Sequence, residues 1–246
     1  MKEQLASTNE NGEFDWKWVD RESAHREWLW HKSIHGRAID PNKERYWWDV
    51  GIYVSTKSDK KSITWKWYLE KTFGGHIDFN DIGSWFKNVF LSKILEENPK
   101  LKNNIEDLWE NWFSISITTF LREIAEELSI VLSEDWNSDK EKNKITIKNI
   151  NLILANEPYA TIKKDWNEIK EINNEHIDVY TFEVEWDIKN FDTQEISNVE
   201  IYTSKELQKI LETQAELFGI KDIHSPKAKV LKKILDKIQK DYDIKP

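Results

Sequence analysis

The chain has no cysteine. That excludes disulfides, thiolate metal ligands and cysteine nucleophiles together. It has no apolar run near the ~20 residues that a membrane-spanning helix needs, and it contains no internal repeat and no low-complexity linker. Its first residues, Met1-Lys2-Glu3-Gln4, lack the apolar core of a signal peptide. A cytoplasmic location is therefore expected. Positive charge is also in deficit. Lys and Arg number 36 against 45 Asp and Glu, a net charge of -9. An acidic surface binds duplex nucleic acid poorly, because phosphate contacts dominate that affinity. A small phosphorylated ligand is still compatible, provided a cation bridges it to the protein.

What the chain does have is length, apolar residues and indole. Its 246 residues with 39% hydrophobic content suffice for one large domain. Most of the 14 tryptophans are expected in or near the core, since indole buries a large area. One or two are available to stack on a nucleobase.

Residues 1–13 read as a flexible polar tail, and 14–246 as one domain. Strands are expected from Trp28 to Ile39, Trp47 to Ser55, Ile63 to Phe73, Lys144 to Ala155, Glu175 to Trp186 and Val199 to Tyr202, on apolar alternation and β-branched or aromatic content. Between Asn80 and Phe113 the period changes to that of helices, two of them, one on each side of Pro99. A further helix is expected from about Ser116 to Val131. Residues 134–143 and 156–174 read as loops. Ser204 is a cap for a helix over 205–218. Ser225 followed by Pro226 opens a last helix to about Tyr242.

The chemistry-bearing segment is Arg122-Glu123-Ile124-Ala125-Glu126-Glu127-Leu128. Ile117, Phe120, Leu121, Ile124, Ala125 and Leu128 form a buried stripe, and Arg122, Glu123, Glu126 and Glu127 fall off it. Glu126 and Glu127 lie three and four residues beyond Glu123, so the three carboxylates can converge. Such crowding is unfavourable on a bare helix and favourable around a divalent cation.

Upstream, Gly75 is followed by five residues and an acid, Asp81. Together with Arg122–Ile130 this resembles the Nudix box, a glycine, an acid six residues on, and R-E-U-x-E-E-x-G-U after seven more, with U aliphatic. Ser129 stands where the pattern has glycine, and Asp81 where it has glutamate. Residues 82–121 place 40 positions where the pattern has seven. Ala24-His25-Arg26-Glu27-Trp28-Leu29-Trp30-His31-Lys32-Ser33-Ile34-His35 is similar to the "AHREGLWHRSVH" segment of the branch that includes isopentenyl-diphosphate isomerase-like hydrolases, with Trp28 in place of glycine. Gly74-Gly75-His76-Ile77-Asp78 is similar to its "GGHID", and Glu195–Glu200 with Ser204–Leu207 to its ending.

The resemblance implies an α/β (α+β) fold, an α/β/α sandwich around a mixed sheet, with a helical insertion at about 82–114 and C-terminal helices at about 205–242. It implies a hydrolase that uses Mg2+ or Mn2+ to cleave a diphosphate linked to another group, such as a nucleoside diphosphate. Glu123, Glu126 and Glu127 would be metal ligands, the Gly75 carbonyl would complete the shell, and Arg122 would orient the carboxylates. Glu195 is the candidate general base. The partner is a small diphosphate compound, with no membrane and no duplex nucleic acid. Relatives are often dimers, which leaves a homodimer open. Two alternatives stand beside this reading: a non-catalytic binding protein of the same fold, and isopentenyl-diphosphate isomerase, which the lack of cysteine disfavours. His31 and His35 are four apart on a strand with no third ligand expected nearby, so they read as packing or hydrogen-bonding residues. The basic stretch Lys227–Lys240 reads as an amphipathic packing helix.

Overall fold

The computed structural model describes residues 3–57, 69, 73–79, 113–127, 146–165, 168–185 and 196–244. The expected helical insertion lies almost wholly outside them. So do most of the expected strand at 63–73 and the loop at 134–143.

The described strands are β1 (Gln4–Thr8), β2 (Phe14–Asp20), β3 (Trp30–Asp40), β4 (Gly51–Lys57), β5 (Thr146–Asp165), β6 (Glu168–Glu185) and β7 (Ile196–Thr203). The helices are α1 (Arg21–Arg26), α2 (Phe113–Glu127), α3 (Ser204–Thr213) and α4 (Pro226–Asp241). The strands form one sheet in the order β2-β1-β3-β4-β7, with β6 against β3 and β5 against β6. β3 and β6 are parallel from Trp30↔Asn174 to Ile39↔Glu183, while the other strand pairs are antiparallel. The sheet is therefore mixed, as expected.

Helices cover both faces because β6 carries buried apolar residues on both. Ile177 and Val179 pack with Ile39, Val54 and the buried side of α3 and α4, including Leu207, Leu211, Ile234 and Ile238. Tyr180 and Phe182 point the other way. There Phe120 of α2 lies 4.9 Å from the Tyr180 ring and 5.5 Å from that of Phe182, with Phe73 beside them. Gly36 makes room for Phe73, whose ring atoms would stand 2.2 Å from an added Cβ.

The α2 face also holds a buried polar network. Lys32, fully buried, donates to Asp178 at 2.6 Å and to the Asn156 side chain. Ser116 of α2 donates to the other Asp178 oxygen at 2.8 Å and meets the Tyr180 hydroxyl at 2.8 Å. Asn156 takes a left-handed φ of 54°, which turns its N–H onto Asp178 at 3.0 Å. α2 is thereby fixed in register over β3 and β6.

Several expectations change. The supposed tail contains β1, with Leu5 and Ala6 fully buried between β2 and β3. Its apolar core is too short to stand out among polar neighbours. α1 is missed for the same reason: its six residues hold under two turns, capped by Asp20 on Ser23 N–H at 3.0 Å. Residues 156–174 are not a loop. β5 and β6 continue as an antiparallel arm to Asp165↔Glu168. Pro158 hid this; it is tolerated because β5 is an edge strand with irregular register near Glu157. Trp47 and Trp48 are not strand residues. They lie in a turn before β4, with φ of 54° and 69°, and are 93% and 76% exposed. α2 starts at Phe113, earlier than expected. Thr203, rather than Ser204, caps α3 through a capping box with Glu206. Ser225 caps α4 as expected, with Pro226 in its first turn.

Asp178→Ala should destabilise the protein by about 3–5 kcal/mol in urea unfolding, since it leaves Lys32 buried without its counter-charge. The pair Lys32→Met and Asp178→Leu should recover at least half of that loss, because it removes both charges together.

Candidate functional site

The segment 73–79 crosses the sheet beside the start of β3. Gly36↔Phe73, Ser33↔His76 and Leu5↔Asp78 are antiparallel bridges. Its backbone is held by Ile34 N–H donating to the Gly75 carbonyl at 2.9 Å and by Ile77 N–H donating to the Lys32 carbonyl at 3.0 Å. This places Gly75 beneath the second half of α2.

Glu123 meets it there. The Glu123 side chain is only 10% exposed and lies so close that a Cβ on Gly75 would stand 2.0 Å from Oε1. A side chain at this position would push the carboxylate end of Glu123 aside. Arg122 locks the contact. One guanidinium nitrogen lies 2.8 Å from Glu123 Oε1, and another donates to the His76 carbonyl at 3.1 Å. The two halves of the sequence motif, 48 positions apart, are therefore in van der Waals contact.

Of the expected carboxylates, Glu123 is the one the structure pairs with Arg122 among the described residues. Glu126 and Glu127 lie on the last turn of α2, one turn beyond Glu123. Their side chains are outside the described residues, as are Asp81, Ser129 and Glu195. The Gly75 carbonyl already accepts one hydrogen bond, from Ile34, and retains a second lone pair.

A second cluster adjoins the first through His76. His25 at the end of α1, His31 at the start of β3 and His76 each bring a ring nitrogen to within 4.8 Å of the others. Their ring centroids are 5.0 to 5.7 Å apart. The third histidine, not expected from sequence, makes His31 part of a cluster that excludes His35. His35 instead meets Tyr159 edge-on at 5.2 Å. The signal was present in the sequence, since His25 and His76 each lie in a quoted motif. Only the chain path shows that they converge.

Charge in this cluster is unevenly shared. His76 is bonded on both sides, by Glu3 at 3.2 Å and Glu175 at 3.3 Å. Burial opposes its protonation, but the two carboxylates outweigh burial and raise its pKa above the ordinary value. His31 is pushed down to about 4, by burial first and then by the charge on His76. Burial pulls the Glu3 carboxyl upward, but its bond to His76 and the charges of His76 and Arg21 bring it down to about 2. The His31 Nδ1–H donates to the Leu29 carbonyl at 3.1 Å. Its Nε2 is thus an unprotonated acceptor, buried and without a hydrogen-bond partner among the described residues. Three imidazoles with a carboxylate alongside suit a borderline cation such as Zn2+.

No protein-family model matches the chain, and no curated protein matches it. Among solved structures, it is similar to DR0079 from Deinococcus radiodurans, at 14% identity over 94% of this chain and 98% of that one, with a TM-score of 0.48. It is also similar to a Nudix hydrolase from Alicyclobacillus acidocaldarius, at 12% identity over 82% of this chain and 89% of that one, with a TM-score of 0.42. Among the described residues no helix is long and apolar enough to cross a membrane.

The two histidines should affect metal-free stability with opposite sign. The folded state disfavours protonated His31, so that contribution is present above the ordinary value of 6.5 and is lost as pH falls toward 4. His76 favours its proton when folded, so its contribution is present below 6.5 and is lost as pH rises through its raised pKa. Chemical denaturation across pH in EDTA should show a shallower acid limb in His31→Gln and a shallower alkaline limb in His76→Gln.

Proposed function

We propose that the chain is a divalent-cation-dependent hydrolase of Nudix type. Its substrate would carry a diphosphate linkage, as in a nucleoside diphosphate joined to another group. One observation carries this reading: Glu123 packed onto Gly75 and tied by Arg122 to the His76 carbonyl. A merely solvated acidic helix face needs no buried carboxylate, no glycine beneath it and no guanidinium clamp.

In this reading Glu123, Glu126 and Glu127 hold Mg2+ or Mn2+ with oxygen donors suited to hard cations, and the Gly75 carbonyl completes the shell. A bound cation of this kind neutralises diphosphate charge and acidifies an attacking water. Arg122 fixes the Glu123 carboxylate in one orientation, so no reorganisation is needed when the ligand arrives. Glu195 acts as general base by accepting the proton of that water. His25, His31 and His76, with Glu175 beside His76, provide a second place for a cation, of the borderline class. The partner in this reading is a small diphosphate compound, with a homodimer left open.

Purified protein in Mg2+ or Mn2+ should release phosphate-containing products from at least one member of a panel of nucleoside-diphosphate compounds. Glu123→Gln should lower kcat by about 100-fold or more while the thermal unfolding profile stays cooperative. Gly75→Ala should lower it as well, by displacing the same carboxylate. Absence of turnover on every compound, or equal rates in wild type and Glu123→Gln, would favour a non-catalytic binding protein.

A further inference from the structure

His31 is fully buried at the start of β3. Its Nδ1–H is spent on the Leu29 carbonyl, which leaves Nε2 as a buried acceptor with no hydrogen-bond partner among the described residues. A buried acceptor in that state is unfavourable unless a ligand meets it. The other histidines bring their own ring nitrogens to within 4.8 Å of it and of each other. Glu175 brings a fourth donor, with Oε1 3.3 Å from His76 Nε2. That separation is the edge of a tetrahedron around Zn2+, whose bonds of about 2.0–2.2 Å set neighbouring ligands roughly 3.3–3.6 Å apart.

The groups behind the ligands fit as well. A metal-bound imidazole is commonly oriented by a carbonyl or carboxylate on its far nitrogen. His31 has the Leu29 carbonyl there, and His76 has Glu3 at 3.2 Å from Nδ1. All four residues are 9% exposed or less. A Zn2+ with four protein ligands keeps no position open for a substrate, and such closed sites serve structure. This one would join the end of α1, the start of β3, β6 and the 73–79 segment.

His76 carries the effect across the sheet. Its ring belongs to the cluster, while its carbonyl accepts from Arg122 at 3.1 Å on the α2 side. Gly75, the residue before it, is the surface on which Glu123 rests. Fixing the His76 ring therefore fixes the backbone that receives Arg122 and Glu123.

We propose that His25, His31, His76 and Glu175 hold a structural Zn2+ that stiffens the 73–79 segment and so strengthens diphosphate binding at the Glu123–Gly75 site on the opposite face; the inference rests on the hydrolase reading above. The segment is ordered by the ion before the diphosphate arrives, so each ligand favours the binding of the other.

The test starts from protein stripped with EDTA and desalted, then titrated calorimetrically with Zn2+, as wild type, His31→Gln, Glu175→Gln and Glu123→Gln. Wild type should bind one Zn2+ per chain, and Tm should rise by about 5–10 °C once free ion reaches about a hundred times Kd. Zn2+ affinity should fall about tenfold or more in His31→Gln and in Glu175→Gln, and be unchanged in Glu123→Gln. The coupling is read in wild type alone, independent of how any variant folds. In Mg2+, a hard cation that disfavours imidazole, Kd for methylenediphosphonate should be about fivefold or more lower with Zn2+ bound than without it. A wild type that binds no Zn2+, or equal methylenediphosphonate affinity in the two states, overturns the inference. Methylenediphosphonate binding that is lost in Glu123→Gln leaves the hydrolase reading intact in either case. Absence of that binding with and without Zn2+ overturns both.

Discussion

The clamp made by Arg122 is the contact on which the rest of the site depends. Its guanidinium joins the Glu123 carboxylate to the His76 carbonyl, and Glu123 rests on Gly75. A carboxylate this buried is unfavourable without a cationic partner. The guanidinium supplies the charge and also fixes the distance between helix and strand. A residue larger than glycine beneath it would push the carboxylate aside.

The sheet makes the clamp possible by presenting different chemistry on its two faces. Lys32 and Asp178 face α2 and pin it through Ser116. His31 and Glu175, one residue earlier on β3 and three earlier on β6, face the opposite side and meet His25 and His76. A two-residue period thus assigns adjacent polar residues to separate networks. The 73–79 segment passes between them, with Gly75 serving one cluster and His76 the other. Any shift of this segment along β3 would disturb both.

Much of this was legible in the sequence, and the failures have physical causes. The apolar stripe through Phe120 and Ile124 announced α2, and both residues are fully buried. The motif put Gly75 and Glu123 at one site, and the structure places the Glu123 carboxylate against Gly75, which leaves their role untested. The mixed sheet between helices also agrees. β1 was hidden because five residues between polar ends carry little periodic signal. The β5–β6 arm was hidden by Pro158, which sequence reasoning treats as a strand breaker unless the edge position is known. The histidine cluster was hidden because its members come from a helix end, a strand start and a distant segment. Periodicity reports neighbours on one element, and convergence of three elements requires the chain path. Trp47 and Trp48 were read as strand because Trp48 continues the alternation of Val50, Ile52 and Val54, but their left-handed backbone turns the chain before β4.

The central claim is that closing Gly75 against Glu123 builds a cation site for diphosphate chemistry. Anomalous diffraction at a manganese-sensitive wavelength, from crystals soaked in Mn2+ and a non-hydrolysable diphosphate, tests it most directly. The account predicts an anomalous peak against the Glu123 carboxylate with diphosphate oxygens in contact with it, lost in Glu123→Gln. Peaks confined to the histidine cluster, or none beside Glu123, would contradict it.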